Sequence, residues 1–209
     1  ISGRVTGVQT CALPISRTML PLILGSSSSI RKELLTRLRL PFESYSPEIN
    51  EDPLNDESAE ELVKRLSQEK ALEVGKRFNH HLIIGSDQVA VNGESVLSKP
   101  GNFENAFAQL SAASGRAVEF LSGLTLLNTE SGDMESSVVS FTVNFRNLSD
   151  AQIERYLHTE EPYNCAGSFK SEGLGITLFE SLTGDDPTSL MGLPLIRLVR
   201  MLERQGVEF

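Results

Sequence analysis

The run from His81 to Val91, HLIIGSDQVAV, limits this chain more than any other segment, because it is rich in aliphatic residues yet carries a carboxylate at Asp87. Ile and Val at strand length, bounded by turn formers, read as a β-strand. The Asn92-Gly93 pair that follows is a hairpin signal leading into a further strand through Val96 and Leu97. Burying a carboxylate among aliphatic neighbours is unfavourable unless the charge is paired or bound to a metal. Asp87 therefore caps a strand end, pairs with a lysine, or belongs to a functional site.

The rest of the chain alternates strand and helix signals. Leu20 to Gly25 is a short apolar run that ends in four serines. A helical pattern follows with Ile30, Leu34, Leu35 and Leu38 on one face, so the serines stand where N-capping is expected. Phe42 to Ser46 reads as a strand, Pro47 to Ser58 as an acidic loop, and Ala59 to Arg77 as a helix with Leu62, Val63, Leu66, Ala71 and Val74 inward. Phe103 to Ala113 is helical, Val118 to Leu127 and Val138 to Phe145 are strands, and Ser149 with Gln152 fits a capping box opening a helix to His158. A loop from Cys165 to Gly173, a strand from Ile176 to Phe179, a polar turn from Thr183 to Thr188 and a helix from Leu195 to Arg204 complete the pattern. This order favours an α/β fold with a mixed sheet.

A chain of 209 residues, 39% hydrophobic, supports one substantial core, and residues 19–209 are expected to form a single domain. Residues 1–18, with ISGRVTGVQTCALPIS, show no strand or helix periodicity and resemble translated sequencing-adapter read-through. They are read as a non-native extension, with Met19 as the start. No apolar run reaches membrane-span length, and a formal charge of -9 argues against a nucleic-acid polymer as partner. Cys11 and Cys165 are too few for a disulfide framework, which points to the cytoplasm, and Cys165 reads as a small buried hydrophobe.

Three groups of residues could carry chemistry. Gly25 and the serines Ser26 to Ser29, with Arg31 and Lys32 one turn on, could cradle a phosphate at a helix start, although the GxxxxGK[ST] pattern is missing and serine capping alone also accounts for them. Glu48, Glu51 and Asp52 form a second, acidic group with Asp87. Lys70, Lys99 and Lys170 could supply cations to phosphate oxygens. A zinc centre is disfavoured, since His80, His81 and His158 lack ligand spacing.

Together, LGSSSSIRKELL, PEINEDP, LSQEKA, GSDQV, LSKP, CAGSFKSEGLG and GLPL, in that order, resemble the Maf family of nucleotide pyrophosphatases across Leu20 to Gln205. Glutamine after the aspartate in GSDQV and glutamate in FKSEG point to its YceF branch. The resemblance implies an elongated Maf/ITPase-like α/β fold, with a central twisted mixed sheet flanked by helices and a cleft for the nucleotide. It also implies a house-cleaning hydrolase that releases pyrophosphate from a nucleoside triphosphate with Mg²⁺ or Mn²⁺, the branch being similar to enzymes preferring 7-methylguanosine triphosphate. By that match Asp87 is the general base and a metal ligand with Glu51; Ser26, Ser28, Arg31, Lys70 and Lys99 contact phosphates. Gln88, Glu172 and position 30 bear on the base, where Ile30 replaces the usual Trp.

Glu172 suits a cationic methylguanine, since a carboxylate accepts from N1–H and the amino group together. Loss of stacking at Ile30 weakens or broadens base selection; the runner-up is a pyrophosphatase of dTTP and UTP or a broad one for non-canonical nucleotides, and Gln88 and Glu172 speak against the pyrimidine version. A nucleotide-binding regulator of cell division without catalysis is the reading from another class, and a homodimer is expected only by analogy with relatives.

Overall fold

Alternation of side chains along β1 (Leu22–Gly25) and β3 (Leu82–Asn92) decides which helices cover which face of the sheet. Leu22, Leu24, Leu82 and Ile84 point to one face and pack with α1 (Ser29–Thr36) and α5 (Leu195–Arg204). Ile23 and Ile83, one residue out of phase, point to the other face and meet Ala71 and Val74 of α2 (Ala59–Gly75). The period of two thus turns a continuous apolar run into a strand buried on both sides.

The structure, a computed structural model, describes residues 19–209, so the reading of 1–18 as an extension lies outside the described residues. Besides the elements named, the chain forms β2 (Phe42–Tyr45), β4 (Ser95–Leu97), α3 (Phe103–Ala113), β5 (Ala117–Asn128), β6 (Met134–Phe145), α4 (Asp150–Glu160) and β7 (Phe179–Thr183). They build a seven-stranded mixed sheet of order β2-β1-β3-β5-β6-β7, with β4 folded back on β3. β1 is parallel to β2 and β3, whereas β3, β5, β6 and β7 pair antiparallel. The hairpin after Asn92-Gly93 is present, with Val91 opposite Val96.

Beyond Gln88 the same strand enters a second apolar cluster, where Ala90, Phe120, Phe141 and Val143 pack with Leu110 of α3 and with Ile153 and Leu157 of α4. β3 therefore runs from one cluster to the other, and Asp87 falls between them.

Two glycines set how closely α2 lies on the sheet. A Cβ at Gly85 would stand 2.1 Å from the carbonyl oxygen of Ser67, and one at Gly123 would stand 2.1 Å from that of Val63. Only a residue without a side chain admits the helix backbone at this distance, and the contact is completed by a hydrogen bond of 2.9 Å between the hydroxyls of Ser67 and Thr125. Lys70, one turn beyond Ser67, is delivered to the sheet as a result.

One assignment changes. Ile176 to Phe179 is not a strand: Leu174–Leu178 coils as a 3₁₀ turn, and β7 begins at Phe179. The N–H groups of Gly173 and Gly175 both bond the carbonyl of Lys170, which winds this stretch before it reaches β6. The polar turn after Thr183 likewise includes a 3₁₀ turn, Pro187–Met191.

Gly85→Ala should lower unfolding free energy by about 2 kcal/mol or more through overpacking against backbone, as measured by urea denaturation. Stability equal to the parent would show that α2 does not depend on this approach.

Candidate active site

The turn after β1 supplies donors. Ser28 caps α1, its Oγ accepting from the N–H of Arg31 at 3.3 Å, and the Ser28 N–H donates to Ser26 Oγ at 3.1 Å. Among the described residues no protein acceptor receives the N–H groups of Ser27, Ser29 or Ile30, and the first turn of α1 carries no acidic side chain. Such a helix start favours an anion through free N–H groups and the helix dipole.

Arg31 is anchored from behind: its Nε donates to the Gly192 carbonyl at 2.8 Å and its Nη1 to the Ser86 carbonyl at 2.8 Å. Burial lowers its pKa, and the charges of Asp87 and Glu51 oppose that shift. A guanidinium remains protonated in proteins, so Arg31 is a fixed positive charge facing two carboxylates.

Lys70 joins those carboxylates. Its Nζ lies 2.5 Å from Asp87 Oδ1 and 2.7 Å from Glu51 Oε1. Lys70 and Asp87 are buried at 7% and 8% exposure, whereas Glu51 comes from the acidic loop and is open to solvent. Partial burial resists ionisation of Glu51. The hydrogen bond and charge of Lys70, with the charges of Lys99 and Arg31, outweigh it and hold the carboxyl below the usual range. Among the described residues Asp87 Oδ2 receives no protein donor and no buried side-chain nitrogen or oxygen is left unpartnered, so this oxygen is open to the cavity.

These groups line one cavity of about 730 Å³. Ser26, Ser28, Ile30, Arg31, Glu51, Lys70, Asp87, Gln88, Lys99 and Glu172, all singled out in the sequence, contribute to its wall. Lys99 and Glu172 are exposed at its edge, and Ile30 also packs against the α1–α5 cluster. Gln88 donates its amide to the carbonyls of Ser189 at 2.8 Å and Leu190 at 3.1 Å.

Other candidates lie elsewhere. Lys170 turns away, its Nζ donating to the Glu160 carbonyl at 2.6 Å, and Glu48 and Asp52 are exposed outside the cavity. Cys165 lines the wall, but burial and the Glu172 charge push its thiol up, against a thiolate nucleophile. Among the described residues no group of three or more His, Cys, Asp or Glu is placed to hold a metal. Glu51 Oε1 and Asp87 Oδ1 both meet the Lys70 ammonium, so Mg²⁺ completed by water and substrate phosphate would be held through the other oxygens of these two carboxylates.

Sequence reasoning missed the apolar wall of Val89, Leu97, Phe120, Phe169 and Leu190, whose residue types signal only a core. It also missed the backbone carbonyls that hold Arg31 and Gln88, which leave no sequence signal. Asp186 was missed too, although Asp before Pro187 is a signal for a helical start.

A mixed α/β sheet with cations, paired carboxylates and a bare helix start around one cleft defines a protein suited to a phosphorylated small molecule. The Maf family model, described as Maf-like protein, matches residues 21–205. A 7-methyl-GTP pyrophosphatase of Pseudomonas fluorescens (strain Pf0-1) is 58% identical over 190 residues, covering 91% of this chain and 99% of that protein. One from Pseudomonas aeruginosa is 58% identical over 187 residues, covering 90% of this chain and 97% of that protein. The chain belongs to the Maf family. Its fold is similar to that of the Staphylococcus aureus Ham1 protein, with a TM-score of 0.50 and 10% identity over 88% of this chain and 99% of that one.

The loop bearing Glu51 is tied to α2 by Arg65, which pairs with Glu57 at 2.6 Å and donates to the Asp52 carbonyl at 3.1 Å. The Arg65 hydrogen bond holds the Glu57 carboxyl at about 2, below its ordinary 4.5. A depressed folded-state pKa stabilises the ionised form, so the tether is at full strength above pH 4.5 and is lost as pH falls toward 2. Hydrogen-exchange protection of the loop before Ser58 should fall across that window, and Glu57→Gln should remove that fall while leaving the one at α2's first turn, where the Ser58 hydrogen bonds also hold the Glu61 carboxyl low; an unchanged loop profile in the variant would assign it to another group.

Proposed function

We propose that this protein is a nucleoside triphosphate pyrophosphatase that hydrolyses 7-methyl-GTP to 7-methyl-GMP and diphosphate, acting in the cytoplasm as part of nucleotide-pool cleaning. The observation that carries the reading is the convergence of Asp87, Lys70, Glu51 and Arg31 on one cavity with an apolar wall. Relatives at 58% identity along nearly their whole length, described as 7-methyl-GTP pyrophosphatases, support the choice of substrate.

In this reading the N–H groups at the start of α1, with Ser26 and Ser28, hold phosphate oxygens, and Arg31, Lys70 and Lys99 neutralise charge developing on them. Lys70 holds Asp87 Oδ1 in place, leaving Oδ2 to orient a water molecule toward the α-phosphorus and to take its proton. Glu51 and Asp87 would hold Mg²⁺ or Mn²⁺, which when bound supplies positive charge to the triphosphate oxygens. Positioning and electrostatics account for most of the acceleration, as the protein makes no covalent bond to substrate. Gln88 and Glu172, which line the same cavity, would meet the base.

Ile30 supports a second reading, a broader pyrophosphatase, because an aliphatic side chain beside the cavity cannot stack as Trp would. A panel of canonical and modified nucleoside triphosphates, assayed for pyrophosphate with and without Mg²⁺, separates the two. Phosphate release in place of pyrophosphate would overturn both.

Asp87→Asn should lower kcat about 10²–10⁴-fold, the range for loss of a general base, while the far-UV circular dichroism spectrum below the melting transition remains that of the parent and Tm falls through loss of the buried pair with Lys70. Full activity would remove Asp87 from this role. Glu172→Gln should lower kcat/KM for 7-methyl-GTP about tenfold relative to UTP, the scale of one charge-assisted hydrogen bond; an equal loss on both nucleotides would place Glu172 outside base selection.

A further inference from the structure

The segment between β7 and α5 is organised by a carboxylate that the proposed reaction does not use. Asp186 is 3% exposed. Its Oδ1 accepts from the N–H and hydroxyl of Thr188 at 3.1 and 2.7 Å, and its Oδ2 accepts from the N–H groups of Ile196 and Arg197 at 2.8 and 3.3 Å. The Thr188 hydroxyl in turn accepts from the Leu195 N–H at 2.8 Å. One side chain thereby ties together both ends of the stretch from 187 to 195.

Between those ends the backbone turns its carbonyls toward β3. Ser189 and Leu190 accept from the amide of Gln88 at 2.8 and 3.1 Å. Gly192 accepts from Arg31 Nε and from Ser86 Oγ, each at 2.8 Å. Ser122 Oγ adds a bond of 2.7 Å to the Ser189 carbonyl. A carbonyl can only accept, so the Gln88 NH₂ group must face this stretch, and its Oε1 is the atom left for a ligand. Gln88 is therefore set as an acceptor, able to accept from the exocyclic amino group of guanine, where uracil has a carbonyl.

We propose that Asp186 is a positioning residue for base selection: by tethering residues 187–195 it fixes the carbonyls that orient the Gln88 amide and, through Gly192, the Arg31 guanidinium. This deepens the pyrophosphatase reading and rests on it. Without the tether, Gln88 rotates and offers donor and acceptor alike, so a guanine loses its advantage over a pyrimidine. In Asp186→Asn one end of the side chain becomes a donor facing donors, which breaks the tether at nearly constant volume.

The test compares wild type, Asp186→Asn, Gln88→Ala and the double variant. For each, kcat/KM is measured on 7-methyl-GTP and UTP, and Kd for 7-methyl-GMP and UMP by calorimetry. Asp186→Asn should reduce both preference ratios about tenfold, the equivalent of one oriented hydrogen bond, and should change neither ratio further when Gln88 is already Ala. Equal losses on both bases, or ratios that multiply in the double variant, would overturn the proposal, since a purely structural cap would act in that way. If Asp186→Asn fails to fold, Thr188→Val, which removes the hydroxyl that joins Asp186 to the Leu195 N–H and leaves the contacts of Gln88 in place, carries the same test. A wild type that releases no pyrophosphate from any nucleotide would defeat the reaction assignment, while the calorimetric ratios would still decide the role of Asp186.

Discussion

The ammonium of Lys70, held between Asp87 and Glu51, is the interaction on which the rest of the cavity depends. A carboxylate in the middle of a sheet is tolerated only if its charge is met at short range, and breaking a buried pair is far worse than never forming it. Meeting the charge requires α2 to lie almost in contact with the sheet, which Gly85 and Gly123 permit because they place no Cβ between the helix carbonyls and the strands. Two absent side chains and one present lysine form a single device.

The electrostatics of the cleft are local and opposed to those of the whole chain. A formal charge of -9 would repel a nucleoside triphosphate at long range, but screening shortens that effect to about a Debye length. Within the cavity Arg31 and Lys70 are positioned by groups that substrate binding need not displace, the Gly192 and Ser86 carbonyls in one case and the sheet carboxylate in the other. Prepositioned charge of this kind acts without reorganisation during the reaction. Glu51 differs, since it arrives on an exposed loop held by the Arg65 tether instead of on the sheet.

Much of the fold was legible because its elements are strongly patterned. α3 and α5 lie where their periodicity put them, and the strand carrying Asp87 differs by a residue at each end. The stretch from Ile176 to Phe179 misled because β-branched residues favour strands generally, whereas a local pair of hydrogen bonds to the Lys170 carbonyl winds it into a turn. Asp87 stood out as a charge where the pattern allows none. Asp186 did not, because an aspartate in a polar turn needs no explanation until its four donors are seen in space.

The amino-acid sequence by itself determined the alternation of elements, the serine-capped helix start, the misfit carboxylate and the family, because each is written in local spacing or in short ordered motifs. Only the tertiary structure decided that Lys70 meets both Glu51 and Asp87 while Lys170, a residue of the same type, turns to the end of α4. Only it decided, too, that backbone carbonyls from residues 189 to 192 hold Gln88 and Arg31. The reason is physical: a residue's type states which bonds it can make, but which partner lies within hydrogen-bond distance depends on helix-to-sheet spacing and on chain reversals that bring together residues far apart in sequence.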